Sequence, residues 1–269
     1  MGVHGKGAVW RILLTVLALA MLAALAVCGG LAAAGKTAAP DEPLAVLMYH
    51  HFVADGEECS EWTTTDACFR EDLAWLRDHG YTFVLPRELA AGEPLPEKPV
   101  MLTFDDGYNS NYTIAYPILE EFGAKAVIAV ITSIPNVVDW SLTWDQCREL
   151  EASGLVEIGS HTHALHAQNT TYGTYGVQRW EGESRDDYTA RVSADLQTSA
   201  DTLAAELGHA PVYLAYPHGA TDVWADELVR GIFAVTTTTK AQIADAADGL
   251  YDLPRFNMNE KNRPWMFLE

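Results

Sequence analysis

Two aspartates stand side by side at the end of an apolar run in "VMLTFDDGYNSNY", Val100 to Tyr112. Asp105 and Asp106 repel each other, and neither belongs in a core, so another charge has to compensate them. A second reactive stretch, "SHTHALH", carries His161, His163 and His166. Their spacings are two, three and five, not the four that pairs ligands on a helix face, which places a two-histidine site on a loop or at a loop-to-helix junction. Imidazole suits zinc and other first-row divalent ions. One carboxylate with two histidines leaves positions open for water and substrate, as a catalytic site needs. One aspartate then binds the cation, and the cation lets the other stay ionised as a base. Alone, Asp-Gly after a strand reads as a turn, and a histidine-rich loop as polar decoration. Their joint occurrence at strand ends is what points to a site.

Those residues have to be gathered from far apart, and the hydrophobic pattern supplies a way. Continuous apolar runs at 44–50, 81–85, 99–104, 126–132, 155–161, 211–217 and 232–237 read as buried strands, with a short one near 251–256. Helical spacing marks 69–80, 86–92, 112–123, 143–154, 184–208 and 222–231. The alternation implies a parallel sheet with helices outside. The fold class is α/β: a distorted (β/α) barrel of seven or eight parallel strands, forming a single domain over 44–269. The C-terminal ends of barrel strands share one face. His50, His51, Asp105, Asp106, the three histidines, "YPHG" (216–219) and Arg255 all fall at such ends. Side chains alternate along a strand, so only one of His50 and His51 faces the pocket.

The chain has 269 residues, 37 acidic and 17 basic, for a net charge of -20, which argues against nucleic acid or an anionic membrane as partner of the folded part. Lys6 and Arg11 precede an uncharged stretch, Ile12 to Cys28. Residues 1–28 therefore read as a signal peptide or membrane anchor, with the remainder exported. Val27 fits a lipoprotein acceptor site poorly. Residues 29–43 read as a linker. Cys59, Cys68 and Cys147 have no zinc-like spacing; export permits a Cys59–Cys68 disulfide, and three free, partly buried thiols are the alternative.

"TFDDG" followed by "SHTHALH" resembles the polysaccharide deacetylases of carbohydrate esterase family four. The five-residue step from His161 to His166, with "LMYHH" on the first strand, resembles the branch of biofilm poly-N-acetylglucosamine deacetylases. The resemblance covers roughly 44–256. It implies metal-dependent hydrolysis of N-acetyl groups from an N-acetylglucosamine-containing polysaccharide, with release of acetate. It makes Asp105 the base, and Asp106, His161 and His166 the ligands of a divalent ion: zinc first, with cobalt, nickel or iron as alternatives. It makes His50 the general acid, with His51 the alternative, and looks to a backbone N–H near "YPHG" for the oxyanion. The family's third motif carries an arginine where this chain has Ala215; Arg255 is the substitute. His163 falls outside the ligand set, and His218, where a tyrosine is common, lines the pocket or caps a turn. The implied partner is an N-acetylated polysaccharide, met by a monomer whose membrane contact is limited to its N-terminal segment.

Trp140, Trp180, Trp224, Tyr172 and Tyr175 are candidates to stack on sugar rings, whereas Trp144 belongs to a helix and its core. Without the arginine at 215, a metal-containing glycan-binding protein that lacks turnover is the alternative function. A glycosidase using both aspartates fits less well, since neighbours on one strand end do not flank a glycosidic bond.

Overall fold

The computed structural model describes residues 43–268. The expected leader and almost all of the linker lie outside the described residues. Among those described, no helix is long and apolar enough to cross a membrane.

The chain opens with β1 (Pro43–Tyr49), buried from its second residue on, then β2 (His51–Val53) and β3 (Thr63–Thr65). Helix α1 (Asp66–Asp78) starts at Thr65, whose hydroxyl accepts the Cys68 N–H. Strand β4 (Thr82–Phe83), helix α2 (Pro86–Ala90) and β5 (Pro99–Phe104) follow. A π-helical turn, Asn111–Ala115, leads into α3 (Tyr116–Phe122), β6 (Ala126–Val130) and α4 (Trp144–Ala152). Then come β7 (Val156–Ser160), the long α5 (Arg185–Leu207), β8 (Tyr213–Ala215), α6 (Asp226–Arg230), β9 (Val235–Thr237), β10 (Ala244–Asp245) and β11 (Phe256–Asn257).

The strands run β1-β5-β6-β7-β8-β9 in parallel, and β11 pairs with the other side of β1. Leu253 bridges Thr237, so the segment before β11 links the last strand back towards the first. The sheet is thus a curled, distorted barrel of parallel strands, as expected. Strand β4 pairs with the start of β5, where β6 takes over further along. Two features were not foreseen: β10 pairs antiparallel with β1, and β2 and β3 form a separate parallel pair.

Expected boundaries shift where proline intervenes. The helix foreseen over 112–123 is a π-helical turn followed by α3, with Pro117 in the first turn of α3, where its missing N–H costs little. Strand β8 stops at Ala215, and Pro217 opens a tight turn instead. Helices α2 and α6 are single short turns rather than 86–92 and 222–231.

Alternation along the strands creates two faces. Leu47, Tyr49, Leu102, Phe104, Ile128 and Ile158 pack outward against the helices. Leu44, Val46, Met101, Val127, Ala129, Tyr213 and Val235 pack inward on each other. Two residues further along, the inward positions turn polar: Thr103 and Asp105, His161, Thr237 and Arg255. The barrel is apolar in its middle and charged at its C-terminal mouth. Gly159 lies on the inner face because Tyr213 fills that space; a Cβ there would sit 2.6 Å from the tyrosine ring.

Glu157 points inward near the opposite end. It is buried, and it accepts the Arg87 N–H of α2 at 3.0 Å. Burial pushes its carboxyl from 4.5 up to about 7, against the pull of that N–H and of Arg87. Between these values the unfolded chain has released the proton and the folded chain keeps it. Stability therefore falls as pH rises through that window, by about 1.4 kcal/mol per unit, and levels off above it. Glu157→Gln removes the dependence. Calorimetric melting of both proteins from pH 4.5 to 7 should show the wild type losing stability relative to the variant as pH rises; parallel curves would contradict the assignment.

Candidate metal and catalytic site

Asp105 follows the last residue of β5, and its N–H donates to the Tyr49 carbonyl at 3.0 Å, extending the β1–β5 pairing by one step. Its carboxylate is gripped from both sides by Arg255: Nη1 donates to Oδ1 and Nη2 to Oδ2, each at 2.7 Å. Arg255 is fully buried and is held by two further bonds, to Thr103 Oγ1 at 3.0 Å and to the Thr238 carbonyl at 2.8 Å. Burial pushes the Asp105 carboxyl up, but the guanidinium and nearby imidazoles more than offset it, so the group titrates below the usual range. Arg255, expected at the last strand as the replacement for a motif arginine at Ala215, is in contact with Asp105.

Asp106 turns the other way. Its φ of 72° is left-handed, an unusual conformation for a residue other than glycine. Gly107 follows at φ 72°, and a Cβ there would lie 2.9 Å from Val130 Cγ1. The double left-handed turn aims the second carboxylate away from Arg255 and at two imidazoles. Asp106 Oδ1 is 3.4 Å from His161 Nε2 and 3.0 Å from His166 Nε2. Against burial, the two imidazoles hold the Asp106 carboxyl well below the usual range.

His161 lies at the end of β7, with Nδ1 2.8 Å from the Ala215 carbonyl oxygen. Nδ1–H donates there, which orients the ring and turns Nε2 towards Asp106 as the nitrogen that would ligate an ion. Asp195 of α5 accepts the N–H groups of His163 and Ala164 at 2.9 and 2.8 Å, shaping the loop that brings His166 back. The three ligand atoms lie within 4.8 Å of one another. Separations of 3.0 and 3.4 Å match the edges of a polyhedron whose ligands stand about 2 Å from an ion. The set fits a divalent cation. His163 lies outside it, with Nδ1 3.0 Å from Thr132 Oγ1.

These groups line a cavity of about 240 Å³, bordered also by His50, Trp62, Tyr108, His218 and Thr239. His50 shares the inward parity of Leu44 and Val46. His51 faces away, with Nδ1 2.9 Å from Ser110 Oγ. Burial lowers the His50 imidazole, and both aspartates oppose that shift. Its Nδ1 is buried without a protein partner. The ring instead meets the indole of Trp62 edge-on at 4.7 Å. Trp62 was not foreseen, because it lies in a short polar segment with no period to read; its place just before β3 is the signal that was there. Tyr108, likewise unforeseen, is pushed up to about 12 by burial and by Asp106. His218 packs at a tilt against His166 and Tyr175, with ring centroids 4.9 and 4.3 Å away.

The other aromatic candidates divide. Trp144 is buried in the core. Tyr172 and Trp180 stack on each other, and Trp224 packs on Tyr188; none of the three lines the cavity. Cys59, Cys68 and Cys147 are thiols, not a disulfide. Among the described residues, no carboxylate other than Asp105 and Asp106 lines the cavity, and two neighbours on one strand end do not make the pair of opposed acids that a glycosidase needs.

The family described as "Polysaccharide deacetylase" matches residues 92–231, over half of the chain. The chain is 29% identical over 246 residues to poly-beta-1,6-N-acetyl-D-glucosamine N-deacetylase of Escherichia coli (strain K12), covering 80% of this chain and 36% of that protein. It thus spans about a third of the length of the curated relatives it matches first. The enzyme of the same name from Staphylococcus epidermidis is 24% identical over 216 residues, covering 76% and 70% of the two chains. Among solved structures, IcaB from Ammonifex degensii superposes with a TM-score of 0.72 at 28% identity, covering 82% of this chain and 93% of its own. The Streptococcus pyogenes deacetylase PplD gives 0.68 at 27% identity, covering 83% and 95%. With the family match spanning the aspartate pair and the histidine loop, the chain belongs to the polysaccharide deacetylase family.

Proposed function

We propose that this protein is an exported N-deacetylase that removes acetyl groups from an N-acetylglucosamine-containing polysaccharide. The carrying observation is the opposite treatment of two adjacent aspartates. Asp105 is clamped by a buried arginine and offered to the cavity as a base, while Asp106 is turned onto two imidazoles. The names of the relatives support poly-β-1,6-N-acetylglucosamine as the substrate class, and the leader-like residues 1–28 support export, with the protein acting as a monomer.

A divalent cation held by Asp106, His161 and His166, with zinc first for such a donor set, would polarise the amide carbonyl and lower the pKa of water. Asp105, ionised beside Arg255, accepts the proton of the attacking water. The amide nitrogen leaves poorly until it is protonated, and His50 supplies that proton. Trp62 holds the imidazole in the absence of a hydrogen-bonding partner for Nδ1. For the oxyanion, the turn over 216–220 offers the N–H of His218. The N–H groups of Tyr216, Gly219 and Ala220 already bond to the carbonyls of Thr237, Tyr216 and Pro217, and Pro217 has none. The products are acetate and an amine. With Arg255 on both oxygens of Asp105, the lack of an arginine at Ala215 no longer favours a protein that binds glycan without turnover.

Acetate release from N-acetylated glycans should stop on chelation and return with a divalent ion. Asp105→Asn should abolish release while the protein retains its ion, measured by elemental analysis; surviving activity would contradict the base assignment. Arg255→Met leaves a buried carboxylate unpaired. It should cost about 3–5 kcal/mol in denaturant unfolding and lower kcat by roughly 100-fold or more. Arg255→Lys should not rescue it, because an ammonium cannot span both carboxylate oxygens.

A further inference from the structure

The catalytic cavity has room for the reacting part of one sugar, so the neighbouring units of a polymer must lie across its rim. One side of that rim is built for the purpose. After Asp106 the chain pairs with residues 140–142: Leu142 N–H donates to the Gly107 carbonyl at 2.9 Å, Asn109 N–H donates to the Trp140 carbonyl at 2.7 Å, and Tyr108 opposes Ser141. This ladder holds the indole of Trp140 against the Tyr108 ring, 5.0 Å between centroids. Tyr108 lines the catalytic cavity, whereas Trp140 is 46% exposed just outside it.

Beyond the ladder lies a second hollow of about 280 Å³, lined by Val137 and Val138 together with Asn109, Asn136, Asp139, Ser141, Thr143 and Gln146. It is similar in size to the catalytic cavity, and Trp140 sits between two of its lining residues. Gln146 Nε2 donates to Asn109 Oδ1 at 2.9 Å, and the Trp144 N–H donates to Asn136 Oδ1 at 3.2 Å. Both asparagines therefore keep their amide nitrogens as donors for a ligand. An exposed indole held beside a hollow that offers two asparagine amide nitrogens, the Asp139 carboxylate and the side chains of Val137 and Val138 suits a pyranose: an apolar ring face with hydroxyls around its edge.

We propose that Trp140 and this hollow form a second sugar-binding position, occupied by the polymer unit next to the one being deacetylated. The inference rests on the deacetylase reading and extends it to how a chain, rather than a single sugar, is held.

The test uses N-acetylglucosamine oligomers from dimer to hexamer. Calorimetry on the ion-loaded Asp105→Asn protein measures binding without turnover. Affinity should rise with chain length, and adding Trp140→Ala should remove most of that rise, about tenfold for the hexamer, with Trp140→Phe restoring much of it. In the active protein the loss in kcat/KM caused by Trp140→Ala should likewise grow with length. An equal loss at every length, or none at any, would overturn the proposal. If the wild type bound oligomers in a Trp140-dependent way but released no acetate from any, the deacetylase reading would fail while the sugar position stood.

Discussion

A carboxylate that stays charged inside a barrel needs a partner that is charged, buried and rigid. Arg255 meets all three conditions. It is fully buried, spans both oxygens of Asp105, and is itself fixed by Thr103 and the Thr238 carbonyl. Two buried ions are costly to desolvate, and only good geometry with every donor satisfied offsets that cost. The pair also joins residues 150 positions apart. It ties the segment before β11 to the end of β5, where the barrel closes. The interaction that keeps the Asp105 carboxylate ionised is therefore also a stitch in the fold.

The rest of the site follows from this division. With Asp105 neutralised by the guanidinium, the negative charge left over is that of Asp106, and the left-handed backbone at Asp106 and Gly107 points it away. A cation between Asp106 and the two imidazoles then meets one uncompensated carboxylate. His161 contributes from a strand end, its other nitrogen tied to the Ala215 carbonyl. Ala215, where the resemblance would lead to an arginine, thus holds the proposed ligand His161 through its backbone, which any side chain at that position would allow.

The sequence carried the barrel and the strand-end chemistry because both are periodic or clustered. Buried parallel strands read as unbroken apolar runs, and the aspartate and histidine motifs are contiguous. The parity of β1 was enough to favour one of His50 and His51, once the inward face was known. What stayed hidden were relations between distant segments. The family resemblance singled out Arg255, but nothing local announces that Trp62 faces His50, or that β2 leaves the main sheet to pair with β3. The π-helical turn before Pro117 was read as plain helix because its apolar spacing is helical. Single turns such as α2 and α6 are too short for their period to fix an end.

That π-helical turn begins where the stretch from Asp105 to Asn111 ends, and the stretch does more than carry two aspartates. Asn111 Nδ2 donates to the His50 carbonyl at 2.8 Å, and Ser110 Oγ accepts the Phe52 N–H at 3.0 Å. The proposed proton acceptor, the proposed ion ligand and the peptide bearing the proposed proton donor are all fastened to seven consecutive residues. Those two bonds, with the Asp105 N–H on the Tyr49 carbonyl, give all three side chains one local frame, so their mutual spacing is set by backbone that is contiguous or directly bonded rather than by the wider barrel.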